Sequence, residues 1–241
     1  MTDRTQERRA LRGLVEVRGS RTDMKIGGYA AKFGTRSQNL GGFVETIDAA
    51  FFNKSAGDEW AGVMARYNHD DNWLLGTTAG QTLHLSIDKT GLDYEVDLPS
   101  FRSDVFELVQ RGDVQRSSFA FYTFEDDWSL DDNGFPLRTL VSGQLVDVAP
   151  VNTPAYTDTN TGLRSLAEKR GLEVSEVAEL AARGSLADIL ARPALVIDLA
   201  PTARAAEDTP IDPAPTAQDP STPPARLELL RQLLEKKAQP R

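Results

Sequence analysis

Cysteine is absent from the 241 residues, and histidine occurs only at His69 and His84. The first absence excludes disulfides, thiolate metal sites and cysteine nucleophiles. The second excludes a histidine-rich zinc site and routes any imidazole chemistry through one of two positions. An excess of basic charge is also missing: Lys and Arg number 27 against 36 Asp and Glu, a formal net charge of -9. General nucleic-acid binding rests on neutralising phosphates with Lys and Arg, so it is not expected. No long hydrophobic run is present. The most apolar region, Leu186 to Ala200, is interrupted by Asp188, Arg192, Pro193 and Asp198 and is too short and too charged to span a bilayer. Met1 to Arg12 is charged throughout, without the apolar stretch of a signal peptide. These absences read together as a cytoplasmic protein that engages neither membrane nor nucleic acid.

What is present divides the chain into zones. Residues 1–24 carry Arg4, Arg8, Arg9, Arg12, Arg18 and Arg21 against Asp3, Glu7, Glu16 and Asp23, and read as a mobile N-terminal arm or a first irregular strand. Residues 25–162 have the alternating pattern of half-buried strands. Leu83, Leu85 and Ile87 share one face, as do Leu92, Tyr94, Val96 and Leu98, and Asp88-Lys89-Thr90-Gly91 between them reads as a hairpin with Gly91 at positive φ. Phe101, Val105, Leu108 and Val109 fall at helical spacing, ended by Gly112. Strand pattern returns over 118–124 and 140–148, separated by the turn Asp131-Asp132-Asn133-Gly134. The expected fold is α+β, an antiparallel sheet or barrel with a few packed helices.

Residues 163–200 read as a helical extension broken at Gly171 and Gly184. A helix-turn-helix over 166–186 is disfavoured because Glu168, Glu173, Glu176 and Glu179 would oppose phosphate. Residues 201–224 hold Pro201, Pro210, Pro213, Pro215, Pro220, Pro223 and Pro224, the composition of a disordered linker. Residues 225–241 form an amphipathic helix with Leu227, Leu230, Leu233 and Leu234 on one stripe. A helix this short is marginal alone and gains stability on a partner.

Three places can carry chemistry. His69 lies in Asn68-His69-Asp70-Asp71, directly after an apolar run. It is either a surface histidine in a turn or a catalytic group on a loop held by a rigid scaffold. His84, between Leu83 and Leu85 and beside Thr82 and Ser86, reads as a solvated-face residue. Ser118 opens a strand in Arg116-Ser117-Ser118-Phe119-Ala120-Phe121. It is either an ordinary strand-start serine or a nucleophile that needs a histidine within hydrogen-bond reach. Asp147 is out of phase with Val146 and Val148, so it is either solvated or turned towards a partner such as an imidazole N–H.

Four blocks, in order, resemble the phage prohead (capsid maturation) serine proteases over about residues 25–160. They are Gly28-Tyr29-Ala30 to Phe33 with Glu45 to Phe51; Tyr67-Asn68-His69-Asp70 with Leu75-Gly76-Thr77; Gly112-Asp113-Val114 to Ser118-Phe119-Ala120-Phe121; and Asp147-Val148-Ala149-Pro150-Val151 to Pro154-Ala155-Tyr156. The resemblance implies a fold similar to the herpesvirus assemblins, a β-barrel surrounded by helices. It places the family's histidine at His69 and its nucleophile at Ser118. Ser117 stands where the family often has a larger apolar residue, so a register shifted to Ser117 is the alternative. Ala120 replaces a common glycine. Asp147 is the candidate third member, with His84 as competitor by analogy with a His-Ser-His site. Arg116 and Arg138 are candidates for the oxyanion site.

The resulting expectation is a serine endopeptidase, needing no metal or cofactor, that cleaves scaffold and capsid protein, and itself, inside the assembling prohead in the bacterial cytoplasm. Its partners would be those protein substrates and further copies of itself. The rival from another class is a non-catalytic scaffold or structural assembly protein on the same fold.

Overall fold

A computed structural model describes residues 5–11, 15–153 and 159–191. Their strands form two sheets on a shared apolar core. In the first sheet the order is β1 (Glu7–Leu11), β9 (Arg116–Leu130), β10 (Pro136–Val151), β5 (Met64–Arg66) and β6 (Leu74–Thr77), and β4 (Val44–Ile47) joins β10 further along the same strand. The second sheet orders β2 (Glu16–Val17), β3 (Lys25–Lys32), β8 (Gly91–Asp97) and β7 (Leu83–Ile87). Helices α1 (Asn53–Gly57) and α2 (Ser103–Gln110) sit in the connections, and α3 (Thr159–Arg170), α4 (Val174–Ala182) and α5 (Leu186–Ala191) follow the last strand.

The α+β class holds, but the barrel does not: the two sheets stay open. Nor is the pairing purely antiparallel, because β10 is parallel to both β4 and β5. Alternation along a chain reveals strands and faces; it carries no information on closure, which requires the two edge strands to meet with the right tilt and stagger. Of the two readings of residues 1–24, the described stretches fit the irregular strand: Glu7–Leu11 pairs antiparallel with β9 and Glu16–Val17 with β3.

The core explains why the aromatic residues of β9 alternate. Phe119 and Phe121 point between the sheets and are fully buried, meeting Phe52 and Phe51 with ring centroids 5.7 and 5.4 Å apart. Burial of each such ring contributes about 1.5–3 kcal/mol. The residues between them therefore face the other side of the sheet. A second apolar cluster joins Leu40, Phe43 and Trp128 to α3–α5, so the helical stretch after residue 159 packs on the domain. Its breaks fall at Gly171 and Gly184, both with positive φ. Gly112 also has positive φ, 80°, as expected of a helix terminator. Gly91 does not need it. A Cβ there would stand 1.9 Å from the carbonyl oxygen of Ala31, so glycine is required by the close approach of β3. The expected linker over 201–224 and helix over 225–241 lie outside the described residues. No helix among the described residues is long and apolar enough to cross a membrane.

A buried charge network ties β1 into the first sheet. Arg138, with no exposed surface, donates to Asp126 (2.6 Å), Glu7 (2.7 Å) and Glu45 (2.9 Å). Burial, the largest single influence, pushes the carboxyls of Glu7 and Asp126 up, but the Arg138 charge, the hydrogen bonds from Arg138, Thr123 and Ser165 and the charges of Arg9 and Lys169 together outweigh it, and both end below the usual range. A carboxyl lowered on folding contributes stability above the ordinary carboxylate range and loses it as pH falls through the folded value. Two outcomes are expected in denaturant titrations. Arg138→Ala should lose about 3–5 kcal/mol, because it strands buried carboxylates. Lowering the pH below about 4 should destabilise the native chain progressively, and Arg138→Ala should show a flatter acid dependence.

Candidate active site

The site is built on the outer face of the first sheet. In β9, Ser117 shares the core side with Phe119, and its Oγ lies 3.1 Å from the Tyr94 hydroxyl. Burial pushes the Tyr94 phenol far above its ordinary value, so it stays protonated. Ser118 faces the opposite side, across the ladder from Ala149 of β10 and Ala10 of β1.

Asp147 reaches that same face through a bulge. Leu145 pairs with Phe121, but Asp147 pairs with Ala120, so one residue is skipped at Val146. Without the skip Asp147 would oppose Phe119 and point into the core. An extra residue on one strand re-aims the side chains that follow it. The Leu145 N–H is satisfied by Ser55 Oγ of α1 at 2.9 Å.

His69 arrives from β5, which runs parallel to β10 with Met64 opposite Asp147. Tyr67–His69 is a single 3-10 turn in which Asn68 and His69 both take left-handed backbone, φ 55° and 57°. Asn and His are among the side chains that tolerate this region, at some cost. The turn is held by the Asp70 N–H on the Tyr67 carbonyl at 3.1 Å and by the Asn152 N–H on Asn68 Oδ1 at 3.1 Å. It aims the imidazole back over the sheet.

The three side chains meet. His69 Nδ1 is 2.6 Å from Asp147 Oδ1, and His69 Nε2 is 2.6 Å from Ser118 Oγ. Asp147 and Ser118 have no exposed surface, and His69 is buried. A carboxylate at Nδ1 holds the proton on that nitrogen and leaves Nε2 facing the hydroxyl. Asp147 Oδ2 has no hydrogen-bond partner, and the Arg66 guanidinium stands 3.3 Å away and balances its charge. The arrangement can take a proton from a serine hydroxyl and return it to a leaving group.

The other sequence candidates sit elsewhere. His84 is half exposed on β7, 4.0 Å from Asp97 in the second sheet. Arg138 is consumed by the carboxylates of the buried network and is not placed for an oxyanion. Arg116 opens β9, opposite Val151. Sequence reading missed Arg66, although an arginine three residues before His69 is visible once Asp147 is known to be buried. It also missed the main chain of Arg9, whose carbonyl accepts from Ser118 Oγ at 2.8 Å; no side-chain pattern announces such a contact.

No curated protein and no solved structure matches this chain. The model of the caudovirus prohead serine proteases matches residues 14–171, which contain His69, Ser118 and Asp147, and the chain belongs to that family.

Proposed function

We propose that the chain is an endopeptidase in which Ser118 is the nucleophile, His69 the base and then the acid, and Asp147 the group that fixes the imidazole. The observation that carries this reading is the continuous contact Asp147–His69–Ser118, with 2.6 Å at each step, made by β10, the turn after β5 and β9 on one face of the first sheet. Ser118 Oγ attacks the scissile carbonyl carbon as its proton passes to His69 Nε2. The imidazolium is held by Asp147, and its proton then goes to the departing amine. Water reverses the sequence on the acyl-enzyme.

Membership of the prohead serine protease family supports a role for such chemistry in capsid maturation. Within that setting the substrates we propose are scaffold and capsid protein, together with the chain itself, cleaved inside the assembling prohead in the host cytoplasm. The Pro-rich segment 201–224 and the Leu-striped segment 225–241 would recruit the enzyme to scaffold or to its own copies, with self-cleavage in the linker releasing it.

Two outcomes test the reading. Ser118→Ala should lower cleavage of scaffold by about 10⁴-fold or more, His69→Ala should match it, and the double variant should be little worse. Ser117→Ala and His84→Ala should retain most activity in the same gel-based assay. Loss in Ser117→Ala in place of Ser118→Ala would shift the register by one residue, loss in His84→Ala with an intact fold would favour a His-Ser-His site over Asp147, and absence of cleavage by the natural chain would favour the non-catalytic assembly protein. Separately, a chain ending near Pro201 should still cleave a peptide but enter proheads poorly, measured by its abundance in purified particles. Equal incorporation would remove the recruiting role.

A further inference from the structure

The edge of β9 that carries Ser118 is occupied. β1 runs antiparallel along it, with Ala10 opposite Ser118 and Arg9 opposite Phe119. An extended polypeptide commonly binds a protein by adding a strand to a sheet edge. β1 does this with the chain's own residues, and it sets the Arg9 carbonyl at the serine, 2.8 Å from Ser118 Oγ. The peptide unit from Arg9 to Ala10 is therefore the part of β1 held against Ser118 by a hydrogen bond to its carbonyl oxygen.

The side chains of β1 fill a fitted pocket. The Arg9 guanidinium makes a two-pronged contact with Glu45, Nε to Oε1 at 2.6 Å and Nη2 to Oε2 at 2.8 Å, and lies 5.6 Å from the Phe121 ring centre. Two-pronged pairing orients the guanidinium, and the Glu45 charge in a buried place also attracts a lysine ammonium, though as a point charge with one prong fewer. Glu7, two residues earlier, meets both Arg9 and Arg138. Departure of β1 would remove one acid and one base. It would leave Glu45 and Asp126 with Arg138 and Lys169, so no net charge is stranded in the interior. An empty pocket would then present Glu45 to a basic side chain.

The same contact withholds the catalytic proton. Ser118 has one hydroxyl hydrogen and two acceptors, the Arg9 carbonyl and His69 Nε2. While the hydrogen is donated to Arg9, it is not on the path to the base. The family match begins at residue 14, after β1, so the strand that blocks the serine lies outside the shared region. Its sequence, Glu7-Arg8-Arg9-Ala10, has a counterpart at Glu235-Lys236-Lys237-Ala238.

We propose that β1 is a built-in substrate mimic that keeps the protease closed, and that the substrate it imitates is an extended segment with an acidic residue, any residue, then Arg or Lys followed by Ala. This rests on the serine-protease reading above. For the segment around Lys237, Ser118 Oγ would bond to the Lys237 carbonyl carbon as His69 takes its proton. The C–N bond to Ala238 would break as that proton reaches the new amine, and water would then hydrolyse the ester to a Lys237 carboxylate and free Ser118.

Arg8 and Ala120 face each other in the β1–β9 ladder, and the natural chain has no cysteine. Full-length chain carrying Arg8→Cys and Ala120→Cys can therefore be locked by one disulfide and released by reductant. The probe is a synthetic peptide of residues 230–241, its hydrolysis followed by mass spectrometry. The expected result is a cut after Lys237, slower by at least about tenfold in the oxidised chain, as for a reduced-state strand undocked often enough to admit substrate. Arg9→Glu, which places a like charge against Glu45, should raise the rate above that of the natural chain, and a Lys237→Glu peptide should not be cut. Equal rates in the locked and reduced chains, failure of the pair to oxidise, or cutting elsewhere in the peptide would overturn the proposal. If the rates are equal yet Ser118→Ala abolishes them, the mimic falls and the protease reading stands. If no form cuts the peptide, the mimic falls as well. Reaction of Ser118 with an organophosphonate then separates the two ideas, because reactivity preserves the protease reading and its absence removes both.

Discussion

The antiparallel pairing of β9 with β10 is the constraint on which the site depends. It sets Ala149 across from Ser118 and, through the skipped residue at Val146, Asp147 across from Ala120. Both polar side chains then share one face while Phe119, Phe121, Leu145 and Val148 fill the core on the other. β5 lies parallel to β10 on its far side, and its continuation delivers His69 to the same face. A slip of one residue in either pairing would send a carboxylate or a serine into the aromatic core and move the facing phenylalanines towards solvent. The hydrophobic cost of that slip keeps the three polar groups in register.

The same sheet holds a second set of charges at the edge with β1. Arg138 and Glu45 come from paired strands, with Arg138 opposite Glu45, and Glu7 and Arg9 complete the set from β1. Buried ions of this kind add little net stability over apolar packing, because desolvation offsets attraction; they do specify which strand docks and in which register. Here they specify a strand that lies along the edge carrying Ser118. The candidate site and the charge network are thus neighbours on opposite faces of β9.

Much of this was legible in the sequence. The hairpin of β7 and β8, the helix before Gly112, the turn at Asp131 and the helical breaks at Gly171 and Gly184 follow from periodicity and turn chemistry alone. The candidates His69, Ser118 and Asp147 came from position on strands and loops together with the family resemblance, and the model brings these three side chains into contact. What sequence could not supply was long-range. Alternation counted from Leu145 puts Asp147 in the core, whereas counting from Val148 puts it outside; only the bulge makes both residues core and Asp147 not. Openness of the two sheets, the burial of Arg138 and the docking of a charged N-terminal stretch depend on partners far away in sequence. Glu7 and Arg9 look solvated when read locally, because the carboxylates and guanidinium that satisfy them lie tens of residues distant.

The central claim is that one serine of this chain is made nucleophilic by His69 and Asp147. The most direct measurement is covalent trapping: the chain is incubated with an aryl phosphonofluoridate, and the modified residue is located by mass spectrometry of the digested protein. The account predicts a single adduct per chain, on Ser118, that is absent when His69 is replaced by Ala. An adduct on Ser117 or elsewhere, or reaction at Ser118 that persists undiminished without His69, would contradict it.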